Sequence, residues 1–206
     1  MYSFFNQTNT LEYNGDQLRS QFNYELTKQP GDSIIAFVGA MNVSKDHMVD
    51  IEDVVNNDFI YSPKAVNFVI ELFDISMEAV ALYQLAFMRI IYDNINTFLT
   101  YEKNNTPDRT FAYESILLKG DDLFLTSKNE PPKKLSVSIA TKSILSGLIH
   151  VGLNLTVNDK VPVLAAGLEE LFAQEEIDYL IGKIMSDFVT YVADIKNRKV
   201  KVKGVI

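Results

Sequence analysis

The sequence contains no cysteine. It therefore has no disulfide framework, no thiolate zinc site and no cysteine nucleophile. No uncharged apolar run approaches the roughly 18 residues that a membrane span requires. The opening segment, residues 1–6, also lacks the basic stretch and long apolar core of a signal peptide. We therefore expect a cytoplasmic protein with no membrane partner.

Basic residues are in the minority, and they are unevenly placed. The chain has 27 acidic against 19 basic residues, a net charge of −8. Five of the bases lie in an acid-free tail, residues 196–203, so the remainder carries 14 bases against 27 acids, or −13. A body this acidic repels phosphate backbones, and we do not expect general nucleic-acid binding. The alternation from Lys199 to Lys203 favours a solvent-facing edge strand, with a specific contact to an anionic partner as the alternative.

The 206 residues are enough for one domain with its own core, and the sequence has no internal repeat or linker rich in Pro, Gly or Ser. We expect a single domain, residues 1–206, with the basic tail as an appendage. The apolar spacing predicts helices at 16–27, 77–99 and 177–195, and strands at 33–38, 67–73, 111–118, 122–126, 135–141 and 148–155. The fold class is therefore α+β, with a mostly antiparallel sheet packed against at least two long helices.

An acidic segment lies between the first two predicted strands. Within it, Asp50, Glu52 and Asp53 offer carboxylate oxygens suited to a hard cation such as Mg²⁺, which could bridge to the phosphates of ATP. The competing interpretation is that these residues cap a short helix or form a solvated surface.

Four polar positions in or beside predicted strands are candidates for ligand contacts. Asp121 and Asp122 are adjacent, so in a strand they would face opposite sides and could not form a dyad; one could face a pocket, or both could serve a turn. His150 is either a satisfied core histidine or a pocket acid, base or ligand. Asn154 either orients a ligand or begins a turn.

A further carboxylate, Glu71, lies inside an otherwise apolar strand. An unpaired buried charge is costly, so Glu71 needs a cationic or hydrogen-bonding partner or an exposed edge. Arg19, Lys119 and Lys134 are the candidate cations, and all three could also contact an anionic ligand.

Three segments carry a resemblance to a known superfamily: 118–124 (Leu-Lys-Gly-Asp-Asp-Leu-Phe), 134–139 (Lys-Leu-Ser-Val-Ser-Ile) and 149–154 (Ile-His-Val-Gly-Leu-Asn). They resemble the core pattern Lys-Trp-Pro-Asn-Asp-Leu-Tyr, Lys-Leu-Ala-Gly-Ile, Gly-Ile-Gly-Ile-Asn of biotin and lipoate protein ligases, whose fold is shared with class II aminoacyl-tRNA synthetases. The chain is more closely similar to an uncharacterised prokaryotic family, domain of unknown function three-six-six. The segments that carry this closer similarity are 13–19, 48–53, 68–74, 120–123, 134–141 and 149–154.

Departures from the ligase pattern decide what the resemblance implies. The stretch 39–46 has no arginine, where the ligases carry an Arg- and Gly-rich loop. The ligase lysine falls on Leu118, so Lys119 would project to the opposite strand face unless a bulge near Gly120 brings it back. Val137 and His150 replace glycines, which predicts a narrower or differently shaped pocket.

The resemblance therefore implies a small-molecule pocket for a carboxylate or nucleotide-like ligand, with Mg²⁺ and ATP as the cofactors to consider. Any catalysis would be ligase- or transferase-like, and it would differ from standard biotin ligation. The alternative is a non-catalytic domain that acts as a homodimer or through a partner-binding surface.

Overall fold

The computed structural model describes residues 1–6, 11–56 and 58–205. The strands are β1 (Tyr2–Asn6), β2 (Ser33–Val43), β3 (Ile60–Phe73), β4 (Ser115–Lys119), β5 (Asp122–Ser127), β6 (Glu130–Lys134), β7 (Ser136–Lys142) and β8 (Ser146–Thr156). The α-helices are α1 (Phe22–Thr27), α2 (Ile51–Asn56), α3 (Met77–Asn105) and α4 (Gln174–Val200), and short 3-10 helices occupy Lys45–His47 and Leu168–Glu170. None of the helices in these ranges is long and apolar enough to cross a membrane.

The strands form two sheets. The larger has the order β1-β2-β3-β8-β7 and the smaller the order β4-β5-β6. Every pairing is antiparallel except that of β1 with β2. The predicted α+β class and mostly antiparallel sheet are confirmed.

The two long helices cover one face of the larger sheet. Phe87 of α3 packs against Phe68 of β3 and Phe188 of α4, with ring centroids 5.3 and 4.8 Å apart. Side chains at three- and four-residue spacing on both helices are fully buried there, as the apolar stripes predict. A second, smaller apolar cluster, which includes Phe37, Met41 and Val69, lies on the opposite face, where no long helix packs.

Ser76 ends the turn after β3 and starts α3. Its hydroxyl accepts a hydrogen bond from the backbone N–H of Ala79 at 3.2 Å, which satisfies one of the free donors of the first helical turn. α3 and α4 are also held together by polar contacts: the side chain of Asn94 donates to Asp187 at 2.9 Å.

Two sequence predictions about the elements are wrong, those for the first helix and for the tail. The helix predicted for 16–27 begins only at Phe22, because Gln21 has a left-handed backbone (φ 66°) and donates its N–H to Glu71. Between the predicted strands 122–126 and 135–141 the structure has a further strand, β6, which accommodates Pro131 and Pro132 because it is an edge strand of the smaller sheet. The tail forms no edge strand: Lys199 and Val200 continue α4, and 201–205 contain no strand.

Candidate functional site

A cleft of about 500 Å³ opens on the sheet face opposite the long helices. Its floor is formed by β2, β7 and β8, and its walls by the segment between β2 and β3, by the turn between β4 and β5, and by residues 161–163. Five of the candidate ligand contacts line it together: Asp121, Asp122, Lys134, His150 and Asn154. Asp50 and Asp53 line it as well.

The floor of the cleft contains a stacked pair of rings. Tyr13 lies flat on His150, with ring centroids 3.5 Å apart and an interplanar angle of 4°. Tyr13 is held there because residues 11–13 run beside β2: its N–H donates to Ala40 O and its carbonyl accepts from Asn42 N. Both rings are about 3% exposed. Burial lowers the pKa of His150 to about 3 and raises the pKa of Tyr13, so both rings are neutral at physiological pH.

The hydrogen bonds of His150 define which of its nitrogens carries the proton. Nε2 lies 3.1 Å from Asn67 Oδ1, while the amide nitrogen of Asn67 donates to Gly39 O at 3.5 Å. Nε2 is therefore the protonated nitrogen, and Nδ1 carries a free lone pair. Among the described residues Nδ1 has no hydrogen-bond partner, so its lone pair is left as an acceptor in a ring that lines the cleft.

Lys134 supplies positive charge at the rim. Its ammonium lies 2.9 and 3.0 Å from the two carboxylate oxygens of Asp122, and both side chains are about 30% exposed. The backbone of Lys134 exchanges hydrogen bonds with Leu164 O and Ala166 N, so residues 161–166 hold this end of β6 in place. An ion pair this exposed stabilises the fold by at most about 1 kcal/mol, so exchange of Asp122 for a ligand anion would cost little.

Asp121 is oriented from the helix side of the sheet. Gln84 of α3 donates to Asp121 Oδ2 at 2.9 Å, and the Ser138 hydroxyl donates to the same oxygen at 2.8 Å. Asp121 lies in the turn between β4 and β5 with Gly120, whose φ is 63°. Asp121 therefore has a turn position, one of the two alternatives that the sequence left open, and Asp122 is the first residue of β5.

The segment between β2 and β3 adds three carboxylates, those of Asp50, Asp53 and Asp58. Burial, followed by the charges of Asp50 and Asp58, raises the pKa of Asp53, and Lys134 opposes this shift. Together with Asp121 and Asp122, five carboxylates face one lysine among the described residues that line the cleft. The cleft is strongly anionic, and a polyanion would enter it only with a compensating cation.

The acidic segment does not form a closed metal site. No group of three or more Asp, Glu, His or Cys side chains converges on a point in the ranges that the structure describes. Glu52 is exposed and outside the lining, and Asp50 accepts a hydrogen bond from the N–H of Glu52 at 2.8 Å, a capping contact. A cation held by Asp50 and Asp53 would need oxygen ligands from a bound molecule.

Three candidate ligand contacts lie outside the cleft. Arg19 is half exposed and pairs with Glu25. Lys119 is exposed, since β4 and β5 pair in regular register and no bulge turns it inward.

Glu71 lies on the cleft face of β3 but towards its far end, where it is 2% exposed. It accepts hydrogen bonds from Gln21 N at 2.8 Å and the Ser146 hydroxyl at 2.6 Å. Of the partners that the sequence left open for Glu71, the structure provides hydrogen-bond donors.

Asn154 lines the cleft and has a structural role. Its backbone N–H donates to Leu135 O at 2.9 Å, and its side chain donates weakly to Lys134 O at 3.4 Å. It fixes the step from β6 into β7, and with it the position of Lys134.

Sequence reasoning did not identify Tyr13, Asn67 and Gln84 as parts of the site. Asn67 and Gln84 carried a usable signal, because each is an amide inside an otherwise apolar stripe and a buried amide needs partners. Tyr13 carried none, since its position depends on a long-range pairing with β2.

Comparison with known proteins gives a family and a fold. A family model described as a domain of unknown function, DUF366, matches residues 2–203. An uncharacterized protein of Methanocaldococcus jannaschii is 29% identical over 193 residues, which cover 90% of this chain and 77% of that protein. A protein of unknown function from Pyrococcus horikoshi superposes with a TM-score of 0.81 at 26% identity, covering all of both chains.

More distant structures show the fold. A lipoate-protein ligase A bound with ATP superposes with a TM-score of 0.52 at 13% identity, over 92% of this chain and 86% of that chain. A point mutant of the biotin protein ligase from Aquifex aeolicus, in complex with biotin, has a TM-score of 0.51 at 12% identity, over 92% and 70%. The protein has the fold of the biotin and lipoate ligases, and by the match over residues 2–203 it belongs to the DUF366 family, whose function is unknown.

Proposed function

We propose that this protein binds a small organic molecule in the cleft, with an apolar body and a single anionic group. The observation that carries the proposal is that one cation, Lys134, and one neutral imidazole, that of His150, line the same cleft together with apolar side chains such as Met41, Val137 and Ile139. Few polar groups placed over an apolar floor are typical of small-molecule sites.

Each part of the cleft has a role in this proposal. When the ligand binds, the ammonium of Lys134 leaves the carboxylate of Asp122 and pairs with the anionic group of the ligand. A carboxylate is the simplest group that fits. Nδ1 of His150 accepts a hydrogen bond from an N–H or O–H of the ligand. Met41, Val137 and Ile139 contact its apolar body.

A nucleotide-like molecule is the second kind of small anionic ligand that we propose for the cleft. Because five carboxylates face one lysine, a nucleotide would have to enter with Mg²⁺, and Asp50 and Asp53 are the residues that would hold the metal with the phosphate oxygens. The bound cation would supply the positive charge that the arginine-free stretch 39–46 does not. The fold relatives that carry biotin in one case and ATP in the other make these ligands the first to test.

Calorimetric titration with biotin, lipoate and ATP tests the proposal, the last with Mg²⁺ and with EDTA. We expect at least one of them to bind, and Lys134→Gln to weaken that binding at least about tenfold, since a charge-assisted hydrogen bond is worth about 1.5–3 kcal/mol. If the ligand is ATP, EDTA should abolish binding.

Lys119→Gln is the matched control, because it removes the same charge from an exposed position outside the cleft. It should leave binding unchanged. Equal losses in the two variants, or no binding by any of the ligands, would contradict the proposal.

The second candidate function is a non-catalytic domain that works through a protein surface. It is favoured by the apolar side chains that α2 exposes beside the cleft, Ile51 and Val55. Chemistry in the cleft, if present, would be ligase- or transferase-like and different from biotin ligation, because the arginines that would hold an acyl-adenylate are missing from 39–46.

A further inference from the structure

We define the flap as the segment between β2 and β3, of which residues 44–56 and 58–59 are described. Many of its side chains are exposed to solvent. Its helix α2 has no buried residue. Ile51 and Val55, four residues apart and so on one side of α2, are 79% and 77% exposed, and Phe59 is 51% exposed. Apolar side chains grouped in this way commonly mark a contact surface.

The flap is also acidic. Asp46, Asp50, Glu52, Asp53 and Asp58 lie among these apolar residues. Against these five carboxylates the flap sequence carries one lysine, Lys45, and no arginine. The surface therefore suits a segment that is both basic and apolar.

The end of the chain has that chemistry. In the terminal segment, defined as residues 199–205, Lys199, Lys201 and Lys203 alternate with Val200 and Val202. The two valines are 73% and 72% exposed. Ion pairs among the described residues engage the nearby Lys196 and Arg198, but not these three lysines.

The larger sheet lies between the terminal segment and the flap of the same chain. Lys196 pairs with Asp32, which fixes the end of α4 beside the start of β2, whereas the flap follows the end of β2. The 11 residues of β2 span about 35 Å. From Lys196, the last helical turn and the residues to 205 reach at most about 24 Å. The larger sheet also separates the two, because α4 packs on the face opposite the cleft.

We propose that the terminal segment of one copy docks on the flap of a second copy. Because the two surfaces lie at opposite ends of β2, an antiparallel arrangement of two chains brings each terminal segment to the other flap and closes a two-fold dimer. The lysines meet the flap carboxylates, and Val200 and Val202 meet Ile51 and Val55. Asp50, Asp53 and Phe59 also line the cleft, so the partner's lysines lie at its mouth and offset its negative charge.

Sedimentation of the full-length chain tests this proposal. At about 0.1 M salt we expect a species of twice 23.3 kDa, which dissociates towards the monomer at about 1 M salt, where the Debye length falls to roughly 3 Å. Removal of residues 201–206 should raise the dissociation constant at least about tenfold, because burial of one valine alone is worth about that factor.

Charge reversal provides the controls. Lys199→Glu, Lys201→Glu and Lys203→Glu together should give a monomer, and adding Asp46→Lys and Glu52→Lys should restore the dimer. Reversal of three other exposed lysines, Lys119, Lys128 and Lys160, should leave the dimer unchanged. A wild-type monomer at low salt, a dimer that survives removal of 201–206, or failure of the combined reversal to restore association would each overturn the proposal.

Discussion

Gly39→Ala lowers the free energy of unfolding by about 1–3 kcal/mol, the range expected for overpacking. A Cβ at position 39 would lie 2.0 Å from the carbonyl oxygen of Leu11, and the nearest atoms are backbone, which cannot rotate away. The segment 11–13 must therefore shift, and Tyr13 with it. We expect chemical denaturation to show the loss of stability, and the ring stack on His150 to be disturbed in the same variant.

Gly182→Ala is the matched control for this substitution. Gly182 is exposed within α4, and a Cβ there would meet no atom within 4 Å. Alanine should stabilise the protein by about 0.5–1 kcal/mol, because it restricts the unfolded chain and favours the helix. A Gly39→Ala variant with the stability of the wild type would show that residues 11–13 are not pinned against β2.

The second large effect is a loss of stability in mild acid caused by His150. Burial lowers the pKa of His150 to about 3 in the folded protein, against about 6.5 in the unfolded chain. Between these values the unfolded chain binds the proton and the folded protein does not, so the free energy of unfolding falls as the pH falls from 6.5 to 3. The loss from this residue is about 2 kcal/mol at pH 5 and reaches about 5 kcal/mol below pH 3.

Denaturation of wild type and His150→Gln at pH 7 and pH 5 measures this contribution. The variant is less stable at pH 7 because it lacks the stack on Tyr13, but its further loss between the two pH values should be smaller than that of the wild type by about 2 kcal/mol. His47→Gln, which removes the exposed histidine of the cleft wall, should keep the acid sensitivity of the wild type. Equal pH dependence in wild type and His150→Gln would show that His150 is accessible to protons in the folded state.

Those parts of the fold with local periodicity could be predicted from the sequence. α3 and α4 follow from their apolar stripes, and the central parts of β2 and β3 from their apolar runs. The first half of β3 was missed because Pro63 lies in it, next to the positions where the pairing of β3 with both neighbours shifts register. β1 was missed because, in the part of the chain that the structure describes, it pairs only with β2, more than 25 residues away, and nothing local defines it.

The candidate site also has features that the sequence predicts and features that depend on tertiary contacts. The resemblance to the ligases predicts that Lys134 and one of Asp121 and Asp122 line the same sheet face as His150, because a ligase-like strand order brings their segments together. In the structure both aspartates line one cleft with Lys134 and His150. The partner of Glu71 could not be predicted, since it depends on the left-handed turn at Gln21. Which nitrogen of His150 carries the proton depends on the orientation of Asn67, a tertiary detail with no counterpart in the sequence.

Methyl NMR of the methionines tests the central claim most directly, because the sequence places probes both in the cleft and away from it. Of the six methionines, Met41 and Met48 line the cleft, Met88 and Met185 are buried in the helix layer, and Met77 is exposed at the start of α3. During titration with biotin, lipoate or ATP with Mg²⁺, a ligand that binds should shift the methyl signals of Met41 and Met48 in wild type and much less in Lys134→Gln, while the other signals stay in place. Unmoved Met41 and Met48 signals with all three ligands, or shifts confined to Met77, Met88 or Met185, would contradict a small-molecule site in this cleft.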